Sequence, residues 1–456
     1  MAASGDDFDT FSAAYAEGTS QIVWRRVVAD LETTVSTYLK LTASRANSFM
    51  LESVQDGSTK GRFSIIGMDP DVILKVQDGK AYINRAVQSG PEAFEALEEK
   101  PLDALRALVN ESQVPLPEGV PAQSAGIYGY LGYDMVRQME VLPDDNPKDI
   151  DTPDAILIRP ALLAIFDTLK DELYFTAPVY VKSGVTAKQA WESANARLDQ
   201  ALAALEQPIH LSRDLPEISE IEVTSNTSEE EFFEMVKKAK DYITEGDIFQ
   251  VVLSQRFETD FTLPATALYR ALRRTNPSPY MYILEFEDFA VAGSSPEILV
   301  RVDAGKVTIR PIAGTRKRGA TPERDRELAD ELLADPKELA EHLMLLDLGR
   351  NDVGRVSKIG SVEVTDRFFL EFYSHVMHIV SNVVGDLDTD RFDYVDALSA
   401  GFPAGTVSGA PKVRAMEIID ELEKSRRGIY AGCVGYFGAD GYMDTCIVLR
   451  TAIVKD

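Results

Sequence analysis

Cysteine is almost missing from this chain, which has Cys433 and Cys446 in 456 residues. So few thiols exclude a disulfide framework and cannot make a zinc site by themselves. They suit a reducing compartment, and a cytoplasmic protein is expected. Histidine is also scarce, at His210, His342, His375 and His378. Candidates for proton transfer near neutral pH are correspondingly few. Positive charge is in deficit, with 47 Lys and Arg against 74 Asp and Glu and a formal net charge of −27. Nucleic acid wants the opposite footprint. A small anionic substrate stays open, because a few arginines can dominate a closed pocket. No apolar run approaches membrane-spanning length, and Met1-Ala-Ala-Ser-Gly-Asp-Asp-Phe8 lacks the basic-then-apolar start of a signal peptide.

What is present reads as an ordered globular chain, 45% hydrophobic and without low-complexity tracts. The polar, proline-containing stretch Gln207–Thr227 suggests a boundary between an N-terminal region, 19–206, and a C-terminal region, 228–456. Up to Gly18 the composition suggests a mobile, acidic start. Strands are expected from Ser48, then a Gly/Ser turn, then from Arg62, with a hairpin around Asp78-Gly79. Helical periodicity covers Pro91–Asn110. Gly126-Ile-Tyr-Gly-Tyr-Leu-Gly-Tyr133 alternates glycine with larger residues, as strands do where backbones approach closely. Ala155–Phe166 and Glu172–Val181 read as strands, and Thr186–Leu205 as a helix. Ser228-Glu-Glu-Glu231 fits a capping box, with Gly246 ending its helix. Further strands are expected at Ile248–Phe257, Ser374–Gly385 and Thr445–Ile453, and a basic loop at Pro311–Gly319. Strands and helices mix without strict alternation, which predicts an α+β fold of mixed antiparallel sheets with helices outside.

One helix stands out. Asp335 can cap it and Pro336 suits its first position. Glu338, Glu341, Leu345 and Leu348 then follow at steps of three, four and three, which puts two carboxylates on the stripe of core leucines. An acid there is costly unless something compensates it. Two readings are open: both acids lean into solvent at the helix edge, or both hold a hard cation, magnesium above all.

Other pieces are weaker alone. Gly401-Phe-Pro-Ala-Gly-Thr-Val-Ser-Gly-Ala-Pro-Lys412 is no Walker loop, because Lys412 follows proline. It leaves a helix N-terminus with Thr406 or Ser408 near free N–H groups. Gly432-Cys433-Val-Gly435 is no amidotransferase nucleophile turn, since no histidine follows, so Cys433 reads as core. His378 shares a strand face with Val376 and Val380, where a structural role is the ordinary one. Glu297, at a strand start after Ser-Ser-Pro, could point into a cleft.

Together these segments resemble the chorismate-utilising enzymes, and within them the large subunits of anthranilate synthase. The resemblance rests on Gly246–Phe257, Ser295-Pro-Glu297, Pro311-Ile-Ala-Gly-Thr-Arg316, Lys337-Glu-Leu-Ala-Glu-His342, Val376-Met-His378, Gly405–Lys412, Tyr430–Tyr436 and Cys446-Ile-Val-Leu-Arg450. Met50-Leu-Glu-Ser53 and Arg62–Gly67 extend it more loosely into the N-terminal region.

The resemblance implies a lyase that turns chorismate and ammonia into anthranilate and pyruvate with Mg2+, in tryptophan biosynthesis. Glu341 and Glu338 would hold the metal, Glu297 would protonate the leaving hydroxyl, and His378 would assist loss of pyruvate. Arg450 and Tyr430 would clamp the enolpyruvyl carboxylate, a task that suits a guanidinium fork. Gly314, Thr315, Thr406 and Gln250 would complete the substrate site. Isochorismate-forming relatives place a lysine where Gln250 stands, and aminodeoxychorismate synthases often place one where Ala313 stands. Anthranilate formation is therefore favoured over the aminodeoxychorismate alternative. Feedback inhibition by L-tryptophan is implied through Glu52, Ser53, Pro279, Tyr280 and Met281, as is a hetero-oligomer with a glutamine amidotransferase subunit that delivers ammonia. The family pattern continues beyond Asp456 with a strand, a Gly-Ala-Gly turn and a helix bearing another metal-ligating glutamate. A shortened enzyme, or a non-catalytic tryptophan- or partner-binding protein, is therefore also an expectation.

Overall fold

Two long strands, Thr59–Gln77 and Ala155–Asp167, set the architecture by pairing antiparallel from Phe63 opposite Asp167 to Val76 opposite Ala155. Residues 155–167 are buried at every position, so both faces of this strand must be covered. Arg159, inside that run, is met by Asp71 at 2.7 Å and Glu111 at 2.9 Å, which offsets the cost of burying a charge.

The structure is a computed structural model and describes residues 3–4, 8–42, 45–55, 59–90, 93–209, 221–373 and 375–455. His210, the Gly57-Ser58 turn, Pro91, Ser374 and residues 210–220 of the expected boundary lie outside the described residues. Among the described residues nineteen strands join one sheet. The N- and C-terminal regions share it along two antiparallel seams. Ser48–Gln55 pairs with Tyr280–Glu285, and Gly126–Leu131 pairs with Cys433–Gly438. The glycines of the second seam are there for space. A Cβ on Gly129 would lie 2.0 Å from the Ile156 carbonyl, and one on Gly126 would lie 2.3 Å from that of Phe437.

The curled sheet encloses an aromatic layer that includes Phe49, Tyr128, Tyr130, Tyr282 and Tyr436. Helices Phe8–Ala16, Thr34–Thr42, Ala187–Leu205 and Ala265–Thr275 pack on one outer surface. Helices Pro101–Glu111, Pro336–Gly354, Tyr394–Gly401 and Lys412–Leu422 pack on another. This is the α+β architecture with outer helices that the pattern predicts.

Several local expectations are corrected. The acidic start contains the helix Phe8–Ala16, because Phe8, Phe11 and Tyr15 share a face, and Phe11 packs 5.0 Å from the Trp191 ring. The periodicity of 91–110 becomes the short strand Phe94–Ala96 and a helix confined to Pro101–Glu111, with Pro101 at its start. A proline disfavours helix in the residue before it. Three corrections concern the segments that resemble the family. Ile248–Phe257 is not one strand. Gln250–Val251 pairs with Gly409–Ala410, and the chain then turns away. Residues 311–319 are not a loop, since Ile312–Lys317 is a strand paired with Val376–Val380 and interrupted at Gly314. Finally, 445–453 breaks into Met443–Ile447 and Thr451–Lys455, which pair with different neighbours.

Candidate active site

The sites of broken pairing converge. At Gly314 the register shifts between Ala313 and Thr315, and the glycine sits at φ +80°. Such a bulge re-aims the next side chain. Thr315 consequently places its hydroxyl 2.9 Å from His378 Nδ1 across the ladder. Burial lowers the His378 pKa, with the Gly314 backbone and Glu371 opposing and Arg450 adding to the fall. A neutral imidazole at neutral pH follows.

Helix Pro336–Gly354 presents the paired carboxylates. Asp335 caps it by accepting from the backbone N–H groups of Lys337 and Glu338. Arg316 ties it to the bulged strand, donating to Asp335 at 2.7 Å and to Glu338 Oε1 at 3.2 Å. Glu338 Oε2 lies 3.4 Å from where a Gly314 Cβ would stand. Glu341 Oε1 accepts from Gln250 Nε2 at 3.1 Å. The Gln250 side-chain amide carbonyl oxygen, Oε1, is buried with no hydrogen-bond partner.

Glu297 lies at the mouth of strand Ile298–Asp303, 7% exposed. Burial pushes its carboxyl up to about 8, opposed by the Thr406 hydroxyl and by Arg450. That hydroxyl donates to Glu297 Oε1 at 3.1 Å. Thr406 therefore serves Glu297 rather than a helix N-terminus. Ser408 likewise donates to the Ala404 carbonyl, and Pro411 occupies the N-cap without side-chain capping, so neither hydroxyl caps that helix. Arg450 stands where the last strand breaks, at φ +49°. Burial draws its pKa down, while Tyr373 and Glu297 hold it up. Tyr430 is on the facing turn, joined by the bond from Ala431 N to the Val448 carbonyl at 3.1 Å. Its ring lies 5.5 Å from the Arg427 guanidinium. No direct contact joins Tyr430 to Arg450 among the described residues.

The expected tryptophan residues gather elsewhere. Glu52, Ser53, Pro279, Tyr280 and Met281 all line a cavity of about 470 Å³. The Glu52 carboxylate is engaged there, accepting from Tyr269 and, at 2.7 and 3.0 Å, from Arg273. The cavity's own polar equipment is Asp444, which accepts from Tyr280 at 3.0 Å, Arg301 at 2.9 Å and Tyr442 at 3.3 Å. Arg301 Nε and Gln123 Oε1 are buried without partners, and both residues line this cavity.

Residues 38–456 match the model of the chorismate binding enzyme family. The chain is 54% identical to anthranilate synthase component 1 of Cereibacter sphaeroides over 98% of this chain and 90% of the relative. It is 47% identical to the protein of the same name from Pseudomonas putida, covering 94% and 86%. The crystal structure of anthranilate synthase component I from Streptococcus pneumoniae superposes with a TM-score of 0.75 at 36% identity, covering 94% and 91%.

The chain belongs to the chorismate binding enzyme family.

A menaquinone-specific isochorismate synthase from Escherichia coli shares the fold, with a TM-score of 0.69 at 18% identity over 98% of this chain and 90% of that one. The residues that the resemblance singles out thus stand at the bulge at Gly314, on the helix at Glu338 and Glu341, at the strand start at Glu297 and at the break at Arg450. Among the described residues no group of three or more His, Cys, Asp or Glu forms a metal cage. Two glutamates one turn apart, each with an oxygen not taken by a cation or amide, still suit magnesium, which keeps waters and needs few protein carboxylates. Sequence reasoning passed over Arg316, Asp444, Arg301 and Tyr373. Arg316 lies inside a segment that carries the family resemblance, but nothing local says that its partners are 15 to 22 residues away. Among the described residues no helix is long and apolar enough to cross a membrane.

Proposed function

We propose that this protein is an anthranilate synthase component I, a lyase that converts chorismate to anthranilate in tryptophan biosynthesis. The observation that carries the mechanism is Glu297, a buried carboxyl with a pKa of about 8, beside an arginine that makes no ion pair among the described residues. A carboxyl that keeps its proton at neutral pH is a general acid. Glu297 protonates the ring hydroxyl, which departs as water, and Thr406 orients the acid. Ammonia adds to the ring, with the unpartnered Gln250 carbonyl as an acceptor for one of its N–H groups. Arg450 and Tyr430 hold the enolpyruvyl carboxylate, while Gly314 and Thr315 bound the ring. Neutral His378, oriented by Thr315, assists as the enolpyruvyl group leaves as pyruvate and the ring becomes aromatic.

Glu341 and Glu338 are the residues that would hold Mg2+, which supplies positive charge against the substrate's ring carboxylate. The 470 Å³ cavity is the seat for L-tryptophan, an indole packing on Pro279, Tyr280 and Met281 near Ser53 and Glu52. A separate glutamine amidotransferase subunit supplies the ammonia, because the buried Cys433 thiol is pushed up to about 12 and is no nucleophile.

The test is incubation of the chain with chorismate, magnesium and an ammonium salt, following anthranilate fluorescence. Product that disappears on chelation and returns with magnesium, and that requires far more magnesium after Glu341→Gln, supports the reading. No product, with tryptophan still bound in calorimetry, would instead make the chain a binding protein.

A further inference from the structure

One side chain belongs to both sites. Tyr373 lines the large cavity, together with Glu371, Phe372 and Arg310. Its ring also meets the His378 ring edge-on, with centroids 5.4 Å apart and planes at 66°. Its hydroxyl donates to Glu371 Oε2 at 2.9 Å. The other Glu371 oxygen takes Arg310, so the carboxylate is shared between the tyrosine and the guanidinium. The backbone beneath is braced, since Arg318 donates to the Tyr373 carbonyl at 2.6 Å and is forked onto Asp325. The side chain is therefore aimed by a single hydroxyl bond above a fixed backbone. The cavity also touches Pro296 and Ile298, the neighbours of Glu297 on either side.

We propose that Tyr373 is a positioning residue through which an occupant of the cavity controls His378. A zwitterionic amino acid in the cavity competes for this pair, its ammonium for Glu371 and its carboxylate for Arg310. Either engagement takes from the Tyr373 hydroxyl the acceptor that aims its ring, and the imidazole loses the edge that holds it over the substrate. The groups facing the pair from packed elements are Arg310 from the strand Lys306–Ile309 and its continuation, His378 from Val376–Asp386, Glu297 before the strand Ile298–Asp303, and Arg450 from the last break. This inference rests on the reading of the cavity as the tryptophan seat.

The experiment compares the wild-type chain with Tyr373→Phe, which keeps the ring and removes its tether. Tryptophan binding is read by calorimetry, and anthranilate formation is read at saturating tryptophan. Inhibition is a coupling between sites and can be lost without loss of binding. The expected result is a tryptophan Kd within about threefold of wild type, an uninhibited kcat lowered about tenfold because the ring has lost its tether, and less than about a twofold further fall at saturating tryptophan. Full suppression in the variant overturns the proposal. Loss of binding in step with loss of inhibition also overturns it, because the hydroxyl would then be a ligand contact. An unchanged kcat overturns it too, since the tether would then aim nothing, and so does a folded variant with no activity at all, which places the hydroxyl in the chemistry. If Tyr373→Phe melts early, Glu371→Gln keeps an acceptor for the tyrosine but removes the charge that the ammonium competes for, so the tryptophan Kd should weaken at least about tenfold, and an unchanged Kd overturns the proposal. A wild-type chain that makes no anthranilate, or binds no tryptophan, refutes the underlying reading instead and is recognised before any variant is made.

Discussion

The reaction cleft and the cavity beside it share a wall but are built from different material. Pro296 and Ile298 face the cavity, whereas Glu297 between them meets Thr406 of the cleft. The cavity is lined mainly by the strands Tyr280–Glu285, Ile298–Asp303, Cys433–Gly438 and Met443–Ile447, whose alternation supplies a wall of mixed polar and apolar side chains with one register shift between Ile298 and Val300. In the candidate cleft Gly314, Arg450 and Gln250 stand where pairing fails, at a bulge, a break and a two-residue pairing, while Glu338 and Glu341 come from a helix. Regular strands select by shape. Interrupted ones release backbone groups and re-aim side chains, which chemistry requires.

If the two regions are separable in this way, damage to one should spare the other. The largest effect is expected at Glu297→Gln, which removes the acid and should lower anthranilate formation by about 10³ in a fluorescence assay, with tryptophan binding intact. In the wild type kcat/KM should fall as pH rises through about 8, where Glu297 loses its proton. Next, Arg450→Gln should raise KM for chorismate about 30- to 150-fold, as expected for losing charged hydrogen bonds worth about 2–3 kcal/mol. Steady-state kinetics would read this, and an unchanged KM would remove Arg450 from the clamp. On the cavity side, Asp444→Asn leaves three donors with a poorer acceptor. It should weaken tryptophan binding about tenfold by calorimetry while kcat stays within about threefold. A comparable loss of kcat would show that the wall is not a partition.

Smaller effects concern stability. Gly314→Ala adds a Cβ 3.0 Å from Ile379 Cδ1 at φ +80°, and should cost about 1–2 kcal/mol in denaturant melts. The raised pKa of Glu297 has a definite sign. The folded state holds this proton more tightly than the unfolded chain, so the contribution is complete below the unfolded value and is lost as pH rises through about 8. The Glu297→Gln chain should lose less stability than wild type over that interval, measured by thermal melts across pH.

Much of this was legible before folding. Caps and turns were read well, because their signals are local. Asp335 caps the helix of the paired glutamates, Ser228 and Glu231 form a capping box, and Gly246 closes that helix at φ +88°. The residues of the family-like segments do meet, at Glu297 with Thr406, Thr315 with His378 and Gln250 with Glu341. The failures share a cause. Residues 248–257, 311–319 and 445–453 have ordinary strand or loop composition. Whether each one pairs, bulges or breaks depends on partners more than fifty residues away.

The amino-acid order by itself determined the capped helices Glu229–Glu245 and Pro336–Gly354, the glycines that admit close backbones, and which side chains have the chemistry for an anionic substrate. These follow from hydrogen bonds and sterics within a few residues. Tertiary structure alone decided that Glu297 keeps its proton, that Glu52 is spoken for by Arg273, and that Tyr373 stands between two pockets. Each of these depends on desolvation or on a partner that only the folded chain brings within reach.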